Sequence, residues 1–126
     1  MLDVNRPEAL EELTEAFEAY ERALFENDIE GLNDLFWADP LTVRYGVREL
    51  LYGHEAIAMF RRDRGHIDQR RTRRNIRITT FGRNFGTTNT EYVPEGSERV
   101  GRQSQTWVRT ERGWKIVCAH VSFLGD

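Results

Sequence analysis

Apolar residues change their spacing along this chain, and the changes divide it into helices and strands. Leu10, Leu13, Phe17, Tyr20 and Leu24 recur in steps of three and four. That is the period of one helix face, and it predicts an amphipathic helix of about five turns ending near Asn27. Asn5 followed by Glu8 has the form of a capping box, and Pro7 suits a first helical turn. The opposite face, with Glu11, Glu15, Glu18 and Arg22, reads as a solvated, largely acidic side. Asn27 and Asp28 open a shorter helix over residues 29–37 with Leu32, Leu35 and Phe36 inward, and Asp39-Pro40 ends it.

Beyond Pro40 the pattern shortens. Residues 41–45 and 49–52 read as short strands around Gly46, and residues 55 to 64 as a third helix with Ile57, Met59 and Phe60 apolar. After a polar loop, four strands are expected at 72–81, 84–93, 99–110 and 114–124, separated by glycine-containing turns. This order predicts a single α+β domain: a curved antiparallel sheet with three helices on one side.

The last two strands are the most informative. Gln103, Gln105, Trp107 and Arg109 fall on one face, with Arg102, Ser104, Thr106 and Val108 on the other. Trp107 marks the inward face, so both glutamines are expected to line a pocket and offer amides to a polar ligand. A one-residue slip in register would reverse this. The final strand is apolar on both faces, so its convex side also needs cover. A second copy of the chain is the expected cover, giving a homodimer or a higher homo-oligomer. Trp114, Ile116, Cys118, His120 and Ser122 alternate onto that convex side, which makes His120 a structural or interface residue and Cys118 a buried, inert one. Phe85 and Tyr92 pull the face of Asn89 and Glu91 in opposite directions and leave it open.

Charge changes the picture more than composition does. Residues 1–40 hold twelve acids and two bases, and residues 41–126 hold nine acids and sixteen bases. Seventeen of the eighteen bases are arginine, which grips carboxylates with a planar fork. A GC-rich coding sequence would give the same bias. Eight arginines between Arg61 and Arg77 suggest nucleic acid, but few aromatics interleave and the chain is acidic overall, so a solvated face opposite the acidic helices is expected. His54 and His66 have no partners at metal-ligand spacing, and no metal or cofactor is expected. No glycine-rich phosphate loop or Ser-His-Asp arrangement appears. The acidic N-terminus, the lone Cys118 and the lack of a long apolar run point to the cytoplasm, with no membrane span.

Two residues carry candidate chemistry. Tyr20 lies on the apolar helix stripe, where it is either a core aromatic or a proton carrier. Arg44 sits in an apolar strand, where it must reach solvent or meet an anion. A short strand beside the first helix would let Arg44 face Tyr20 across a cavity, where a guanidinium can clamp a carboxylate.

The segments FWADPLTVRYG, LYGHEAIAMFRR, NTEY and GRQSQTWVRT…GWKIVCAHVS together resemble the AtzH-like branch of the nuclear-transport-factor-two-like superfamily. The resemblance spans essentially the whole chain and implies a cone of sheet closed by helices. It implies a cofactor-free hydrolase that converts 1,3-dicarboxyurea to allophanate in cyanuric acid breakdown. The Tyr of AYERAL and the Arg of TVRYG, Tyr20 and Arg44, match the positions that would act; Gln103, Gln105 and Trp107 would bind the substrate. A relative linked to oxalurate breakdown keeps a second possibility open: a non-catalytic ureide-binding protein or a partner of a pathway amidase.

Overall fold

The first helix, α1 (Pro7–Phe25), lays Ala9, Leu13, Phe17, Tyr20 and Leu24 against the sheet. In the computed structural model, which describes residues 2–125, it is followed by α2 (Ile29–Leu35), β1 (Val43–Tyr45), β2 (Leu50–Tyr52), α3 (His54–Arg64), β3 (Arg71–Phe81), β4 (Phe85–Pro94), β5 (Gly101–Thr110) and β6 (Gly113–Phe123). The six strands form one curved, unclosed sheet in the order β2-β1-β6-β5-β4-β3. The expected α+β architecture is therefore present, with three helices closing one face. All neighbours are antiparallel except β1 and β6, which run parallel. Among the described residues no helix is long and apolar enough to cross a membrane.

The core lies between α1 and the concave face of the sheet. Trp107, Leu13, Phe36, Ile57 and Ile116 are fully buried there. Each aliphatic or aromatic side chain so buried contributes about 1.5–3 kcal/mol. Gly86 lets α1 approach: a Cβ there would stand 2.5 Å from a Leu13 methyl and 2.8 Å from the Thr79 carbonyl oxygen.

Several local expectations are corrected. Asn5 does not cap α1. It adopts positive φ, and its side-chain Oδ1 accepts a hydrogen bond from the Thr80 amide at 2.9 Å, which ties the N-terminal segment to β3. Asp28 does cap α2, accepting from Gly31 N at 3.0 Å. That helix stops at Leu35 because Phe36 turns extended and the Trp37 amide donates to the Ile116 carbonyl at 2.9 Å.

The largest correction concerns β6. Its register against β5 shifts between Thr106 and Trp107, leaving Val117 as an extra residue. A bulge of this kind breaks the two-residue alternation. Trp114 and Ile116 consequently lie in the core, while Cys118 and His120 emerge on the convex side. The five residues 114, 116, 118, 120 and 122 do not share a face, and Cys118 is exposed rather than buried. On β4, Asn89 and Glu91 point outward, bonded to Ser104 and to Arg74 and Asn75. Tyr92 turns inward over Gly101, whose missing Cβ leaves room for the phenol ring.

Candidate functional site

A cavity of about 440 Å³ opens between the C-terminal half of α1, α3, the β1–β2 hairpin and the ends of β3 to β6. Arg44, Arg61, Arg64, Arg71 and Arg99 line it, together with Tyr20, Phe60, Tyr92 and Gln103. A larger, more open hollow of about 960 Å³ lies at the other end, between α2 and the β5–β6 turn. Its charges are mixed: Glu30, Asp34 and Glu111 stand beside Arg109, Arg112 and Lys115. The smaller cavity is the stronger candidate because one sign of charge dominates it and buried donors there lack partners.

The wall has two kinds of arginine. Arg71 of β3 is fully compensated. Its Nη2 donates to Glu21 at 2.7 and 2.6 Å and to Gln103 Oε1 at 3.1 Å, and Gln103 Nε2 donates to Glu21 at 3.2 Å. The Arg71 guanidinium also stacks 4.4 Å from the Tyr92 ring centre. Burial raises the Tyr92 pKa, with the Arg71 charge opposing it.

Arg61 and Arg64 of α3 are different. Arg61 is 3% exposed, donates to Asn33 Oδ1 at 3.0 Å and stacks 4.6 Å from the Phe36 ring centre. Burial lowers its pKa to about 10, with the Tyr20 hydroxyl opposing the fall and the Arg44 and Arg64 charges adding to it. It therefore stays charged near neutral pH. Burial also lowers the Arg64 pKa, and Arg44 again adds to the effect. Among the described residues neither forms a salt bridge with a carboxylate.

Arg44 stands between these cases. It is on the inward face of β1, opposite Leu51 and Ala119, and its side chain is 11% exposed. Its Nη1 donates to Glu49 Oε1 at 2.9 Å, while its Nε is buried without a partner. Glu49 reaches it by folding back over Gly46, where any Cβ would collide with the carboxylate.

Tyr20 and Arg44 therefore line the same cavity, and Tyr20 is 3% exposed against Phe36. Gln103 lines it as well. Gln105 and Trp107 are inward and buried, but they do not line the cavity. The Trp107 indole donates to Thr88 Oγ1 at 3.0 Å, and Thr88 donates to Gln105 Oε1 at 2.9 Å, a chain inside the core. His120 lies on the outer surface against Tyr45.

Part of the Arg61–Arg77 segment departs from the expected solvated face. Arg73 and Arg74 do pair with Glu18 and Glu91 near the surface, but Arg61, Arg64 and Arg71 point into the cavity. The missed signal was helical: Ile57, Phe60, Arg61 and Arg64 fall at i, i+3, i+4 and i+7, one face of α3. Glu21 carried no such mark, because it adjoins Tyr20 in an otherwise acidic run.

A family model described as AtzH-like matches residues 2–126. The chain belongs to the AtzH-like family. It is similar to a solved protein of unknown function from the DUF3225 family of Pectobacterium atrosepticum SCRI1043, at 47% identity over 98% of this chain and 96% of that one, with a TM-score of 0.95. A cystatin-like fold protein from Burkholderia xenovorans LB400 is 44% identical over 100% and 99% of the two chains, with a TM-score of 0.93. A nuclear-transport-factor-two-like protein of unknown function from Pseudomonas putida KT2440 shares the fold at 15% identity and a TM-score of 0.81, over 96% and 90%. No curated protein matches the chain. Family and fold together support a small ligand-binding or enzyme-like protein. In this AtzH-like chain the cavity supplies an excess of fixed positive charge, a hydroxyl and an amide, which suits a small polar anion.

Proposed function

We propose that this AtzH-like chain is a small cofactor-free hydrolase that converts 1,3-dicarboxyurea to allophanate, a step in cyanuric acid breakdown. The observation that carries the reading is that Tyr20 and Arg44 open onto one arginine-rich cavity. In this reading Arg44 holds one substrate carboxylate with the guanidinium N–H groups that Glu49 leaves open, and Gln103 orients the urea. Gln105 and Trp107, assigned to substrate binding from the sequence, would act by fixing the wall that carries Gln103.

The reaction breaks the bond between a urea nitrogen and its carboxyl carbon. The electron pair stays on nitrogen, which takes the Tyr20 hydroxyl proton, and the carboxylate leaves as carbon dioxide. Water then returns a proton to the phenolate, so one water is consumed and hydroxide is released, to be taken up with carbon dioxide as bicarbonate. General acid catalysis of this type contributes about 10²–10⁴-fold. Tyr20→Phe removes only the proton donor and should lower kcat by that factor with the fold intact. Arg44→Lys removes only the fork and should raise KM. Carbon dioxide release from 1,3-dicarboxyurea measures both. Parent-rate turnover by both folded variants sinks the mechanism.

For assembly we propose a homodimer through the convex face, where Leu50 and Tyr52 are 70% and 60% exposed beside Tyr45. Light scattering reads the mass. A monomer that instead captures a pathway amidase would favour the partner-subunit reading.

A further inference from the structure

Two arginines of the cavity wall approach the same aromatic ring. The Arg44 guanidinium lies 5.8 Å from the Phe60 ring centre and that of Arg64 lies 5.2 Å from it. Both Nε–H groups are buried and neither has a partner. A buried N–H without an acceptor is rare, and two in one cavity lined by like charges are rarer. The two guanidinium charges act on each other: Arg44 adds to the lowering of the Arg64 pKa that burial begins, and Glu49 opposes it.

A bland account is available for Arg64 alone. It ends α3, where a cation complements the helix dipole. That account does not explain its direction. Arg62 occupies the same last turn and points to solvent, satisfying the dipole without entering the cavity. Nor is Arg64 held like Arg61, whose guanidinium is already bonded to Asn33. Arg64 is half-buried, lines the cavity and has no carboxylate partner among the described residues.

We propose that Arg64 binds the second anionic group of a small dianion whose first group is held by Arg44, with Phe60 as the spacer between the two sites. Arg64 is thereby the residue that selects a dianion over the monoanion that lacks its second carboxylate. This rests on the reading of Arg44 as a carboxylate clamp. Glu49 already neutralises one guanidinium edge at Arg44, so Arg64 supplies the uncompensated charge that a second carboxylate requires.

Glutarate is the probe, because three atoms separate its carboxyl carbons, as in a doubly carboxylated urea. Butyrate is the comparison, with one carboxylate fewer. Calorimetry on the parent should show glutarate bound on the order of 10- to 100-fold more tightly, the range of a charge-assisted hydrogen-bonded contact. Arg64→Met should bring glutarate down to the level of butyrate and leave butyrate within about threefold. Arg64→Lys, which keeps the charge and loses the fork, should retain part of the preference.

A parent that binds neither probe, or binds both equally, overturns the proposal. So does an Arg64→Met chain, folded by circular dichroism, that weakens both ligands alike. The catalytic reading fails separately. Arg64-dependent glutarate selectivity without turnover of 1,3-dicarboxyurea would sink that reading and leave this one standing.

Discussion

Arg71 and Arg64 line the same cavity, yet one is surrounded by partners and the other is not. Arg71 gives both contacts of its Nη2 to a buried carboxylate and a third to an amide. Arg64 keeps a buried N–H with no acceptor. The first arrangement joins α1 to β3 and β5, elements far apart in the chain, so its charge is spent on architecture. The second rests on the Phe60 ring and leaves a donor without an acceptor among the described residues. Arginine content alone would not separate the two, but the count of satisfied donors does.

Breaking the compensated side should have the largest effect. Glu21→Ala strands Arg71 without a counter-charge in a site where both side chains are about nine-tenths buried, and should cost about 3–5 kcal/mol. Urea unfolding measures it, and a loss under about 1 kcal/mol would mean that Arg71 finds water instead. Removing the uncompensated charge should act in the opposite direction. Without ligand, Arg64→Met is expected to match the parent or exceed it by up to about 1 kcal/mol, since an apolar side chain replaces a desolvated ion. Marked destabilisation would show Arg64 to be a structural residue.

The smallest effect belongs to Asp68 and Arg70 at the cavity rim, which are compensated but exposed. Hydrogen bonds from Arg70 hold the Asp68 carboxyl down to about 2. Its folded value lies below the unfolded value of about 3.9, so whatever the pair contributes is present above that pH and fades as pH falls toward 2. Parent and Asp68→Asn stability profiles should therefore converge below about pH 4. A gap that persists there would mean that Asp68 acts through shape.

The helix stripes, the turn glycines and the inward face of Trp107 were legible in the sequence because each depends on a local period. The juxtaposition of Tyr20 with Arg44 followed from element order together with the family resemblance. The arginines of α3 and β3 were assigned to solvent because a charge run read in one dimension hides which members share a face with Ile57. The convex assignment of Trp114 and Ile116 failed for a different reason. Alternation predicts faces only while each residue has one partner, and Val117 has none.

That single extra residue works as a frameshift in space. Upstream of it, β6 delivers an indole and an isoleucine to the interior; downstream, the same odd-and-even count would have delivered a thiol and an imidazole. Flattening the bulge, with Val117 paired to Thr106 and the rest following in step, would restore unbroken alternation and turn Cys118 and His120 inward, with Ala119 and Val121 outward. The bulge thus keeps a thiol and an imidazole out of a chamber furnished with arginine, tyrosine and amide, and it narrows the chemistry the chamber can attempt.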